Sequence, residues 1–102
     1  MTLADDWTNA DTTAVFEAIL TLETVDEAER FFRDLCTLHE LEEIAKRWAV
    51  VRKLAERVPY RRIADETGSS SATITRINQW LRRGAGGYAM VLGRLGLGNG
   101  VG

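Results

Sequence analysis

With 102 residues, 45% of them apolar and 27% charged, the chain has the composition of one small globular domain, near the lower limit for a self-sufficient core. No basic segment followed by an apolar stretch opens it and no apolar run reaches membrane-spanning length, so no membrane association and a cytoplasmic location are expected. The net charge of −2 conceals an asymmetry: residues 1–45 carry twelve acidic and two basic side chains, and residues 46–102 carry eleven basic and three acidic ones.

That asymmetry suggests an anionic partner for the second half, nucleic acid being the usual one, while attraction between the two halves or across a dimer is the alternative. The lone Cys36 lies within the apolar pattern FFRDLCTL and reads as a small core residue in a reducing compartment. Cys36 and His39 have a C-x-x-H spacing, but no second Cys or His completes a ligand set, so neither a metal nor a cofactor is expected. The same isolation removes a Cys/His catalytic pair.

In chain order, nearly everything reads as helix. After Thr8 and Asp11, either able to cap, TTAVFEAILTL sets Val15, Phe16, Ile19 and Leu22 at helical spacing. Thr24 and Glu27 form a capping box ahead of Ala28, Phe31, Phe32 and Leu35. A second box, Thr37 with Glu40, opens a longer helix whose apolar stripe runs through Leu38, Leu41, Ile44, Ala45, Trp48, Val51, Leu54, Ala55 and Val58. This scaffold is expected to stop at Val58, because a residue preceding proline is driven from the helical region and Pro59 offers no N–H. A stripe that wide in so short a chain calls for cover by other helices and by a second copy. Two short helices follow, then GAGG at 84–87 and a final helix over YAMVLGRL, with Met90 and Leu95 at helical spacing and Gly93 weakening the middle. One domain spanning residues 1–96 is expected, with 97–102 a flexible Gly-rich tail.

The segment YRRIADETGSSSATITRINQWLRRG carries the functional signal. With Tyr60 as position 1 of a helix-turn-helix over residues 60–82, the tightly packed positions 4, 5, 9, 15 and 18 hold Ile63, Ala64, Gly68, Ile74 and Ile77. Position 5 must be small where the helices cross, and position 9 must turn the chain through a left-handed backbone, which glycine adopts without a Cβ clash. Ser69 or Ser70 caps the second helix. Its small first turn lets the backbone approach the major groove, and its hydroxyls can reach phosphates and base edges. Six arginines lie between Arg57 and Arg83, against Asp65 and Glu66. The residues expected to contact DNA are Arg61, Arg62, Ser70, Ser71, Ala72, Thr73, Thr75, Arg76 and Gln79.

The segment GSSSATITRINQWL resembles the recognition region of the tryptophan repressor, and RFFRDLCTLHELEEIAKRWAVVRKL with ATITRINQWLRRG and GYAMVLGRL is still more similar to the repressor-related YerC/YecD family. The resemblance covers residues 12–96. It implies an all-α fold of about six helices and an intertwined homodimer that presents two reading heads to a double-stranded DNA operator. It also places Arg47 and Arg76 where the repressor's two effector-binding arginines stand, with Thr37 near the loop that closes the pocket. Where the repressor has glycine and serine, this chain has Ile77 and Trp80, whose side chains would occupy the ligand's volume, so tryptophan binding is not expected.

The favoured function is therefore a sequence-specific DNA-binding transcription regulator, a repressor. The alternative is a helical protein–protein interaction module whose hairpin serves packing alone. An enzyme is not expected, since no cluster offers a nucleophile with its base, a phosphate-cradling loop or paired carboxylates in an apolar pocket. The runs Asp5-Asp6 and Glu42-Glu43 read as solvated faces.

Overall fold

The structure, a computed structural model, describes residues 7–97, so the end of the expected tail, from residue 98, lies outside the described residues. The described residues form six helices: α1 Ala10–Ile19, α2 Val25–Leu35, α3 Leu38–Ala55, α4 Tyr60–Thr67, α5 Ser71–Arg83 and α6 Gly87–Arg94. Among the described residues there is no strand, and no helix is long and apolar enough to cross a membrane. The chain divides inside α3, between Leu41 and Glu42, into two compact units.

The first unit is organised by its caps. Neither Thr8 nor Asp11 caps α1; Asn9 does, its side chain accepting from the Thr12 N–H at 3.0 Å while the Thr12 hydroxyl accepts from the Asn9 N–H at 2.8 Å. Asparagine wins because Thr12, three residues on, returns the bond. Thr24 caps α2 by accepting from the Glu27 N–H at 3.1 Å, but the Glu27 carboxylate reaches past Thr24 to the N–H of Glu23 at 2.9 Å. The box at α3 is complete: Thr37 Oγ1 accepts from Glu40 N–H at 3.1 Å, and Glu40 Oε1 from Thr37 N–H at 2.8 Å. Neither α1 nor α2 contains a buried residue; Leu20 is 83% and Val25 78% exposed. An open groove of about 470 Å³ runs between Ala28, Phe32 and Leu41. Cys36, a free thiol, is half-buried, and no group of three or more potential metal ligands occurs among the described residues.

The second unit holds the core. The later part of α3 supplies buried Val50, Val51, Leu54 and Ala55, against which Ile63 of α4, Ile74, Ile77 and Leu81 of α5 and Leu92 of α6 pack. The apolar stripe expected along α3 is thus buried only in its second half; Leu38 and Ile44 stay more than half exposed. In α6 it is Leu92 that is buried, whereas Met90 and Leu95 face solvent. The Trp48 ring leans on Tyr88 of α6 with centroids 6.2 Å apart.

The scaffold ends three residues before the point that the proline alone would dictate. Arg57 adopts a left-handed conformation (φ 63°), its N–H bonding to the Leu54 carbonyl at 3.0 Å and the Val58 N–H to the Lys53 carbonyl at 3.0 Å. This paired closure is a Schellman turn, and its usual apolar contact is supplied by Val58, which packs on the core instead of continuing the helix. Pro59 then starts α4 with no side-chain cap. Gly68 closes α4 at φ 73°, and Ser70, not Ser69, caps α5 by accepting from the Thr73 N–H at 3.1 Å.

A Cβ on Gly68 would meet nothing within 4 Å, so the demand for glycine there comes from the backbone alone. Gly68→Ala is expected to lower stability by about 1–2 kcal/mol, the cost of a left-handed non-glycine residue, while leaving the helical content unchanged. Urea denaturation followed by circular dichroism measures both.

Candidate nucleic-acid interface

Helix α5 is two-faced. Ile74, Ile77 and Leu81 are buried, with Thr73 and Asn78 flanking them half-buried. Ala72, Thr75, Arg76 and Gln79, spaced by three, four and seven residues, share the exposed face, and Arg82 and Arg83 follow in the last turn. This face offers a methyl, a hydroxyl, a guanidinium and an amide in succession, which are groups that match thymine methyls, phosphates, guanine and adenine edges. Its first turn carries only Ser71, Ala72 and Thr73, so nothing bulky keeps the backbone from a partner surface.

The expected contact residues differ in how free they are. The Ser70 hydroxyl is engaged twice, accepting from the Thr73 N–H and donating to Thr73 Oγ1 at 3.0 Å, so Ser70 and Thr73 are committed to the cap. Ser71 and Thr75 are the exposed hydroxyls of the helix. Ser69 is 8% exposed, its Oγ buried without a hydrogen-bond partner, as is Asn78 Oδ1. Arg61 and Arg62 lie in the first turn of α4, both exposed.

Arg62 belongs to a cluster that the sequence reading missed. Its Nε donates to Glu66 Oε2 at 2.8 Å, and Lys53 Nζ of α3 donates to Glu66 Oε1 at 2.6 Å. The bond from Arg62, then that from Lys53, holds the Glu66 carboxyl down to about 2 from an ordinary 4.5, and the same contact raises Arg62. The Arg62–Glu66 half has i,i+4 spacing on one helix and could have been read from sequence. The Lys53 half could not, because that residue precedes Glu66 by thirteen positions and lies on another helix.

The residues of the expected former effector pocket are distributed as follows. Thr37, in the first unit, has both its N–H and its hydroxyl in the α3 capping box. Arg47 on α3 and Arg76 on α5 are exposed. Ile77, 2% exposed, is an integral part of the core, and Trp80 remains 44% exposed within the single chain. The tryptophan ring therefore fills no enclosed space in one protomer.

The family model for the Trp repressor protein matches residues 10–96. The chain belongs to the Trp repressor family. Within it, YerC of Bacillus subtilis, an uncharacterised protein, is 43% identical over 81 residues, covering 79% of this chain and 78% of that one. The crystal structure of a TrpR-like protein from Eubacterium eligens superposes with a TM-score of 0.82 at 42% identity, over 87% of this chain and 92% of that one. A Staphylococcus aureus protein described as a candidate Trp repressor gives 0.85 at 34% identity, over 95% and 97%. The resemblance to tryptophan-repressor-related and YerC-like proteins, and the all-α fold it implied, are thereby met.

The depressed Glu66 carboxyl links stability to pH. Because its folded value lies below its unfolded one, the stabilisation is complete above about 4.5 and is lost as pH falls toward about 2. Glu66→Gln is expected to be less stable than the parent at neutral pH and to lose less over that acid interval, so the two denaturation midpoints converge at low pH. Urea titrations of both proteins between pH 2 and 7 measure the convergence.

Proposed function

We propose that this member of the Trp repressor family is a sequence-specific DNA-binding transcription regulator, a repressor acting in the cytoplasm as a homodimer on a double-stranded operator. The observation that carries this reading is the exposed face of α5, with Ala72, Thr75, Arg76 and Gln79 displayed behind a first turn of small residues while Ile74, Ile77 and Leu81 hold the helix on the core. Arg61, without an ion pair among the described residues, would reach backbone or a guanine edge from the start of α4. Ser71 would add a hydroxyl to phosphate, and Ser70 and Thr73 would act by fixing the helix start.

The dimer is supported by what one chain leaves uncovered. Helices α1 and α2 bury no residue, and Trp7, Phe16, Leu20, Val25, Leu35 and Leu38 are all at least 48% exposed. Apolar surface of that extent in so small a chain is stabilised by burial against a second copy. The half-exposed Trp80 is consistent with the same arrangement, its ring taking the volume that an effector would need only once the protomers are assembled.

In solution the protein is expected to scatter light as a dimer, with twice the 11.4 kDa of the chain, and to enrich from a randomised duplex library a near-palindrome whose half-sites lie about one helical turn, roughly 10 bp, apart. Replacing Thr75 by Ala or Arg61 by Gln should weaken the enriched site by about 1–3 kcal/mol if the contact is to a base edge. A folded dimer that enriches no motif would instead favour a helical protein–protein interaction module.

Operator binding is also expected to be indifferent to tryptophan, because an effector shifts a population only through different affinity for two states. Titration of the enriched duplex with and without millimolar L-tryptophan measures this. A gain of tenfold, about 1.4 kcal/mol of coupling, would show that Ile77 and Trp80 leave room for the ligand.

A further inference from the structure

The cluster of Lys53, Glu66 and Arg62 joins the scaffold helix to the first helix of the reading head, and the family resemblance assigns it no role. Its exposure is graded: the Lys53 side chain is 24% accessible, Glu66 37% and Arg62 68%. The inner cation is thus sheltered, the carboxylate lies between, and the outer cation projects to solvent.

The bonding pattern is one-sided. Glu66 holds Arg62 at Nε, whereas a guanidinium carries four further N–H groups on its two Nη atoms. Two parallel N–H groups on the remaining edge match the spacing of two phosphate oxygens. Lysine in the same place could not serve both partners from opposite edges, because its ammonium is a point donor without a second edge. We propose that Glu66 is a positioning residue: anchored to α3 by Lys53, it orients Arg62 so that the outer edge of the guanidinium grips one backbone phosphate of bound DNA and fixes the register of the reading head.

This inference rests on the DNA-binding reading above. Electrostatics and positioning make opposite predictions for the loss of Glu66. Removing an anion near a polyanion should, by Coulomb attraction alone, strengthen binding to any duplex. Removing a positioning carboxylate should weaken the registered complex, in which phosphate contacts set orientation, while sparing loose non-specific complexes that need none.

The experiment measures, at neutral pH and several salt concentrations, the affinity of the full-length protein for its library-enriched duplex and for a scrambled one. The parent, Glu66→Gln, Lys53→Met, Arg62→Lys and Arg62→Gln are compared, each checked for helical content by circular dichroism. Glu66→Gln is expected to lose about tenfold on the enriched duplex and none on the scrambled one, with Lys53→Met losing in the same direction. Arg62→Lys, which keeps the charge, should fail to restore the enriched-duplex affinity. Arg62→Gln should in addition reduce the salt slope by about 1. If Glu66→Gln or Lys53→Met is folded and binds both duplexes as well as or better than the parent, or if Arg62→Lys matches the parent, the positioning role is overturned while DNA binding stands. If the parent prefers no duplex, the DNA-binding reading fails and this inference with it.

Discussion

Everything in the second unit depends on one packing contact, the closure of three isoleucines, Ile63, Ile74 and Ile77, on the Val50, Val51, Leu54 and Ala55 surface of α3. Branched side chains have few rotamers, so once they interlock the crossing of α4 and α5 is set, and removing any one of them leaves a cavity that little can refill. The orientation of the exposed face of α5 is the mirror of this contact. Thr75 and Arg76 point outward because Ile74 and Ile77 point inward, one and two positions away on a helix of 3.6 residues per turn.

The polar elements refine what the core sets. The Ser70 hydroxyl, exchanging bonds with the Thr73 N–H and hydroxyl, defines where α5 begins to within a residue, and Gly68 turns the chain into that start at φ 73°. The Glu66 carboxylate then ties the far side of α4 to the scaffold through Lys53. Hydrophobic closure sets the angle between helices, and hydrogen bonds set their axial position, so together they fix the exposed face of α5 in space.

Much of this was legible in the sequence because the signals were local. Gly68, Ser70, the Thr37–Glu40 box and the isoleucine spacing are each decided within a few residues, and the structure realises all of them. The misreadings arose where a distant partner or a competing local motif decided the outcome. Val58 leaves the helix because the core, not Pro59, claims it, and Asn9 outcompetes its neighbours because Thr12 answers it. Leu92 rather than Met90 or Leu95 is buried because packing against α5 and the core selects the inward face, which periodicity over eight residues does not specify. The Lys53–Glu66 bond is invisible for the same reason: only the fold brings α3 and α4 together there.

The joint between α5 and α6 has a mechanical meaning. Gly84 donates its N–H to the Trp80 carbonyl at 2.8 Å, and the backbone presses so closely there that any Cβ would collide with that same carbonyl. Two residues later Gly86 turns into α6, which is held from below by Leu92 in the shared core. Any side chain at Gly84 would therefore push the start of α6 away from the end of α5, so this one position sets how closely the last helix can follow its predecessor.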